Sequence, residues 1–151
     1  ELTGTSIIEF GRSVGRMWKA VAGVGDFYTK LQWMPDGEEL WEALAPLGPS
    51  ILTGVPHGHG WADQKRVWIR EHLSYFPKTI IKTPGRTKLD CALSAFNLTA
   101  IPEDETWILI DDTPRIGAPW TQGGGKFILH KNTVTTLEEL YPLLEKVAFD
   151  R

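Results

Sequence analysis

The segment Trp107–Thr113 constrains the fold of this chain more than any other, because four apolar residues run directly into two adjacent aspartates. A short apolar run rich in β-branched residues and bounded by a turn is typical of a buried parallel strand. Open α/β sheets bind ligands where such strands end. Neighbouring carboxylates repel each other unless a cation offsets them. Asp111 and Asp112 are therefore candidate oxygen ligands of Mg²⁺, and a solvated turn is the competing interpretation.

Three further short apolar runs predict strands, and segments of helical character alternate with them. The strands are predicted at Ser50–Gly54, Thr79–Ile81 and Lys126–His130. The helices are predicted from Asp36 as a capping residue, from about Trp61 to Leu73, from Lys88 to Ala95, and from a Thr135 or Thr136 cap through Lys146. This alternation predicts an α/β fold, a parallel sheet flanked by helices, in which the carboxyl ends of all four strands share one edge.

Length, charge and cysteine content narrow the class of protein. The chain has 151 residues, a net charge of −3 and one cysteine, Cys91. This length predicts one domain, and the charge argues against a basic face that grips a nucleic-acid duplex. No apolar stretch approaches the roughly 20 residues that a membrane span needs. A lone cysteine, interpreted as a core residue, favours the cytoplasm or another reducing compartment.

Polar side chains follow the predicted strands in an order that suits phosphate chemistry. Thr53 and Gly54 end the first strand, Lys82 and Lys88 flank the loop after the second, and the aspartate pair follows the third. A hydroxyl and a lysine can hold a phosphate dianion while two carboxylates hold Mg²⁺, which shields the phosphate from the acids. Taken singly, the threonine is an ordinary strand-end residue and each lysine an ordinary surface group.

Two other motifs are weaker. His57 and His59 lie in a glycine-flanked loop, and two histidines without a cysteine or a nearby acid are a poor indication of a metal site, so we expect ordinary loop residues. Gly123–Lys126 resembles a phosphate-binding loop, but no serine or threonine follows the lysine and a strand follows where a helix is required. We interpret it as a turn.

The chain from about Trp18 to Lys146 resembles the haloacid dehalogenase-like (HAD) phosphohydrolases, and most of all the 5′(3′)-deoxyribonucleotidase type. The resemblance rests on Ser50–Pro56, Trp61–Trp68, Lys88 and Ile108–Thr113, with Phe27–Tyr28 and Met34–Gly37 before them. It implies a Rossmann-like core from about residue 36, and a small helical cap in about residues 1–35. It also implies that Thr53 contacts phosphate, that Lys88, with Lys82 as the competitor, steadies the phosphorylated intermediate, and that Asp111 and Asp112 hold Mg²⁺.

One departure from the family is large. Family catalysis uses a first Asp-x-Asp-Gly motif, whose first aspartate attacks phosphorus and whose second is the general acid and base. No Asp-x-Asp occurs in this chain. Glu1–Thr5 matches only the glycine frame of that motif, and we expect the first strand to lie upstream of Glu1.

Three functional hypotheses follow. The first is a Mg²⁺-dependent phosphomonoesterase for a small, nucleotide-like substrate, inactive without the missing motif. The second is a non-catalytic HAD-like module that binds or assembles with a protein partner. The third and weakest is a sensor of a phosphate ligand that uses the same sheet edge without chemistry.

Overall fold

The computed structural model describes residues 26–58 and 60–149, and it shows a mixed α/β protein. The strands in this part of the chain are β1 (Ile51–Gly54), β2 (Thr79–Lys82), β3 (Ile108–Asp111) and β4 (Lys126–Leu129). The α-helices there are α1 (Gly37–Leu44), α2 (Trp61–His72), α3 (Lys88–Ala95), α4 (Gly117–Gln122) and α5 (Thr133–Phe149). Short 3₁₀ turns span Tyr28–Lys30, Ala45–Leu47 and Pro114–Ile116.

The described residues divide into two compact units. One comprises residues 26–32 and 57–76, and the other comprises residues 33–56 and 77–149. The expected boundary between cap and core at about residue 35 lies near the division at Gln32, whereas α2, which we assigned to the core, belongs to the same unit as residues 26–32. The helical pattern from Ile7, the glycine frame at Glu1–Thr5 and His59 lie outside the described residues.

All four strands belong to the second unit and form two parallel pairs. β1 pairs with β2, with Thr53 opposite Ile81, and β3 pairs with β4, with Ile110 opposite Ile128. The expected single sheet is therefore not observed among the described residues, where each sheet has two strands. The strand positions and their parallel direction are confirmed. Hydrophobic periodicity predicts strands, but it does not specify which edges pair.

Helix α3 packs against residues from both sheets. The central cluster consists of Leu89, Ala92 and Leu93 of this helix with Leu109 of β3 and Trp120 of α4. Leu52 of β1 and Phe127 of β4 pack against the same cluster. The two strand pairs therefore share one hydrophobic core, although no hydrogen-bonded ladder joins them within the described residues.

The predicted helix start is confirmed for α3, whereas the predicted capping of α1 and of α5 is corrected. Helix α3 has the predicted bounds, and Thr87 caps it reciprocally with Asp90 in a capping box. Asp36 precedes α1 as predicted, but its side chain makes no capping hydrogen bond. Helix α5 begins at Thr133, before the predicted Thr135 or Thr136 cap, and the Asn132 side chain accepts the Thr135 N–H at 2.9 Å.

The glycine segment Gly123–Gly125 is a turn, as predicted, and its shape follows from packing. A Cβ at Gly123 would overlap Leu89 Cδ2, and a Cβ at Gly125 would overlap the Trp120 indole nitrogen. Gly124 has a φ of +94°, in the region that glycine adopts without strain. Two buried side chains thus press against this turn, which accounts for consecutive glycines without a ligand.

The first unit is built on the contact between Tyr28 and α2. The Gln64 side chain accepts the Tyr28 N–H at 2.9 Å, and the Tyr28 ring meets the Trp61 ring edge-on, with centroids 5.4 Å apart. Trp68 donates its indole N–H to the Leu31 carbonyl at 2.7 Å. In the part of the chain that is described, no helix combines the length and apolar character required to cross a membrane.

Candidate functional site

Lys88 connects the ends of two strands that do not pair. Its ammonium group forms an ion pair with the Asp111 carboxylate at the end of β3 and donates to the Leu52 carbonyl of β1 at 3.1 Å. Both charged side chains are largely buried, with 12% of Lys88 and 8% of Asp111 exposed. Lys88 is the first residue of α3, so the capping box at Thr87 fixes the start of the helix that carries it.

The two aspartates after β3 differ in their surroundings. Asp111 is held at both carboxylate oxygens, one by Lys88 and the other by the Thr113 N–H at 2.9 Å. Asp112 is exposed, and the Thr113 hydroxyl donates to it at 3.4 Å. Charge compensation by Lys88 explains how two adjacent acids are tolerated here. Of the two carboxylates, that of Asp112 is the one that faces solvent.

Thr53 and Gly54 end β1 beside this ion pair. The Leu52 carbonyl that Lys88 contacts belongs to the peptide group that leads into Thr53. Gly54 lies opposite Lys82 in the register of β1 and β2. The structure therefore brings together the strand end at Thr53, Lys88 and Asp111, which are far apart in the sequence.

Lys82, the competing lysine, has a different environment. Its ammonium group lies 3.4 Å from the carbonyl of the next residue, Thr83, and among the described residues it forms no ion pair. The aliphatic part of its side chain lies 4.0 Å from the Cβ position of Gly54. Of the two candidate lysines, Lys88 is the one in contact with Asp111.

The ligand atoms of Asp111 and Asp112 are the basis for the expected binding of Mg²⁺. Asp111 and Asp112 supply carboxylate oxygens, the hard ligands that Mg²⁺ prefers, and this cation commonly binds through one or two carboxylates while it keeps several waters. The described residues hold no cluster of three or more histidine, cysteine or acidic side chains suited to a metal. Of the two aspartates, Asp112 is the exposed one, while both carboxylate oxygens of Asp111 are engaged by Lys88 and Thr113.

His57 is exposed in the loop after β1. The structure describes no ligand role for it, and His59 lies outside the described residues.

A polar cluster that sequence reasoning missed lies at the end of β4. His130 Nε2 is 3.2 Å from Asp36 Oδ2, and His130 Nδ1 is 2.7 Å from the Thr136 hydroxyl. Thr133 donates to both the carboxylate and the backbone carbonyl of Asp36, at 3.1 and 3.2 Å. Asp36 thus joins the start of α1 to the start of α5. The one available signal was a histidine as the last residue of a predicted strand.

The pKa of Asp36 lies below its ordinary value of 3.8. Desolvation raises the pKa, but the hydrogen bonds from His130 and Thr133, together with the charge of His130, lower it by more. The ionised carboxylate is therefore the form that this cluster favours. Its partners lie within the protein, so the cluster ties elements together and offers no free nucleophile.

Comparison of the chain with known protein families, with curated proteins and with solved structures finds no match.

Proposed function

We propose that this chain belongs to a HAD-like, Rossmann-type phosphomonoesterase that depends on Mg²⁺ and acts on nucleoside monophosphates, with the nucleophile supplied by a strand that this sequence does not contain. The observation that carries the proposal is the double contact of Lys88 with the Asp111 carboxylate and the Leu52 carbonyl. The Lys88 ammonium group thus contacts both Asp111, a predicted metal ligand, and β1, the strand predicted to bind phosphate. The nucleotide substrate follows from the family resemblance.

The hydrogen bonding of β1 leaves the edge away from β2 open to the proposed additional strand. The Ile51 N–H donates to the carbonyl of Lys78, the residue before β2, so alternation along a parallel ladder turns the backbone of Leu52 toward the opposite edge. Lys88 reaches the Leu52 carbonyl on that edge. The edge of β1 away from β2 therefore faces the end of β3.

The backbone of β3 has the corresponding free edge. Lys126 and His130 donate to the carbonyls of Trp107 and Asp111, so the backbone groups of Ile108 and Ile110 point away from β4. No strand pairs with that edge among the described residues. A parallel strand between β1 and β3 would complete one five-stranded sheet and would end beside Lys88.

The proposed roles follow from charge and position. Thr53 would donate its hydroxyl to a phosphate oxygen, Gly54 would let the phosphate approach the backbone, and Lys88 would offset negative charge on the phosphoryl group. Lys82, opposite Gly54, would add positive charge to the rim. Asp111 and Asp112 would hold Mg²⁺, which supplies electrostatic stabilisation at phosphorus when bound.

Phosphate release from nucleoside monophosphates tests the proposal. The chain as given should release none above a Thr53→Ala, Asp111→Asn control. The chain extended at its N-terminus through the preceding coding sequence should contain an apolar strand ending in Asp-x-Asp-Gly and should release phosphate only with Mg²⁺. Lys88→Met should abolish that activity, whereas Lys82→Met should reduce it much less.

Turnover by the chain as given would contradict the proposal, and so would an upstream sequence without such a strand. The second outcome would favour the alternative of a non-catalytic HAD-like module with a protein partner. Mg²⁺-dependent nucleotide binding without hydrolysis by the extended chain would favour a sensor.

The proposed compartment is the cytoplasm or another reducing environment. It is supported by Cys91, which is a free thiol buried in α3.

A further inference from the structure

The outer edge of β2, away from β1, borders a groove against helix α3. The groove has a volume of about 330 Å³ and is lined by Thr79 and Ile81 of the strand, by Cys91 and Ser94 of the helix, and by Lys78 and Arg86 at the rim. No strand covers this edge among the described residues. We call this surface the β2 groove, and neither Lys88 nor Asp111 lines it.

The backbone at the floor of the β2 groove can accept another strand. Ile80 faces β1 in the ladder, so the N–H and C=O groups of Thr79 and Ile81 point outward. An exposed strand edge of this kind is a template for pairing with an extended peptide. Alternating backbone donors and acceptors match a polypeptide, and they have no counterpart in a sugar-phosphate chain.

The two charged side chains that line the β2 groove, Lys78 and Arg86, are both cations. From Phe76 the sequence contains four cations, Lys78, Lys82, Arg86 and Lys88, before the first acid, Asp90, although the whole chain has a net charge of −3. Only Lys88 of these four forms an ion pair within the described part of the chain. Lys78 lies over the Phe96 ring at 4.6 Å, and Arg86 donates to the Asp90 carbonyl at 3.1 Å.

This charge decides between candidate occupants. A second copy of the chain would bring the same cations to the same edge, and like charges across a strand pair oppose pairing. An extended segment with acidic side chains would meet complementary charge at the rim.

We propose that the β2 groove is a docking site for an extended acidic segment of a partner protein, which adds as a strand to the outer edge of β2. Thr79 and Ile81 supply the backbone hydrogen bonds, and Lys78 and Arg86 select acidic side chains.

A labelled peptide of about seven residues that alternates valine and glutamate, a length typical of a strand, tests this site by fluorescence anisotropy with the full chain. The peptide should bind, and the Lys78→Glu, Arg86→Glu double variant should weaken binding by at least about tenfold. The matched variant Lys131→Glu, Lys146→Glu makes the same change in net charge at exposed positions outside the groove and should bind within about twofold of the parent. Circular dichroism checks that both variants are folded.

Two further measurements separate strand addition from simple charge attraction. The same peptide N-methylated at all of its backbone nitrogens keeps its side-chain charge and loses every backbone donor, and it should not bind. On binding of the parent peptide, amide exchange at Thr79 and Ile81 should slow, whereas the Ile80 amide, which faces β1, should change little.

Several results would overturn the proposal. These are no binding of the acidic peptide, equal binding of the N-methylated peptide, or unchanged exchange at Thr79 and Ile81. Binding of an oligouridylate in place of the peptide, lost in the same variant, would assign the groove to nucleic acid. Concentration-dependent protection of Thr79 and Ile81 without peptide would assign it to a second copy.

Discussion

The candidate site is built around two buried charged residues, Lys88 and Asp111. Lys88 and Asp111 are both largely withdrawn from water, and each offsets the desolvation of the other. The sequence predicted both residues, and it favoured Lys88 over Lys82 through the family resemblance alone, because each is a lysine near the same loop. The choice depends on which side chain reaches across to β3, a contact between residues that are 23 positions apart.

Substitution of one partner alone should leave an uncompensated buried charge. Lys88→Met and Asp111→Leu should each lower the free energy of unfolding by about 3 kcal/mol. The double variant should recover most of that loss, since it leaves neither charge unpaired. Urea denaturation of the four proteins in this cycle measures the coupling.

Lys82→Met is the matched control for this cycle, and it should change the free energy of unfolding by less than about 0.5 kcal/mol. Strictly additive losses in the Lys88 and Asp111 variants would show that the pair is not coupled.

The Asp36 carboxylate should make stability depend on acid pH. Because its pKa is lower in the folded protein than its ordinary value of 3.8, the unfolded chain binds the proton more readily. The stabilisation is therefore present above pH 3.8 and is lost as the pH falls through the lower, folded pKa. Thermal unfolding followed by circular dichroism from pH 6 to pH 2.5 measures this loss.

Asp36→Asn should remove this part of the acid dependence and lower the midpoint at pH 6 by about 2–4 °C. Glu38→Gln, which changes an acid in the first turn of the same helix, serves as the control and should keep the parent's acid profile. Identical acid profiles of the parent and Asp36→Asn would be evidence against the His130 contact.

Local signals explain which elements could be predicted. Helix α3 has its predicted bounds, and its start is fixed by a local signal, the capping box between Thr87 and Asp90. Helix α4 was missed, since its segment contains Pro119 and begins at Gly117, residues that usually indicate a loop. The contact of Asp36 with His130 spans 94 positions, and no local pattern indicates it.

The glycine turn before β4 should tolerate side chains according to what lies beside each position. Gly123→Ala should lower the free energy of unfolding by about 2 kcal/mol, because the new Cβ would overlap Leu89. Gly124→Ala should cost about 1 kcal/mol, from backbone strain at positive φ alone. Chemical denaturation measures both values.

Gly54→Ala is the control for this series, since its nearest neighbour would be Lys82 Cδ at 4.0 Å, and its stability should be close to that of the parent. Equal costs at all three glycines would mean that packing against Leu89 does not shape the turn.

At the scale of the whole molecule, α3 packs against residues of both sheets and Lys88 bridges them. The sequence predicted four parallel strands and their polar ends, and these predictions hold for the described residues. It could not predict two separate pairs, because pairing depends on edges that meet only after the chain has folded. The identity of a strand between β1 and β3 remains the proposal made above.

Amide exchange should distinguish the two sides of β3. In the chain as given, the amides of Ile108 and Ile110 should exchange faster than those of Leu109 and Asp111, which face β4. Addition of the proposed strand should slow the first pair and leave the second nearly unchanged. Hydrogen exchange followed by NMR, compared between the given and the extended chain, checks this prediction.

Protection of Ile108 and Ile110 in the chain as given would contradict the free edge. Slow exchange confined to Leu109 and Asp111 in both chains would contradict strand insertion.

The bond from Lys88 to the Leu52 carbonyl has one more consequence. A backbone N–H of a strand added at that edge of β1 would compete with Lys88 for the Leu52 carbonyl. The Lys88 ammonium group would then leave the main chain and contact an anionic group of the added strand. The surroundings of the Lys88 side chain would therefore report whether the strand has been added. Its side-chain nitrogen resonance should move when the sheet closes, before any substrate is added.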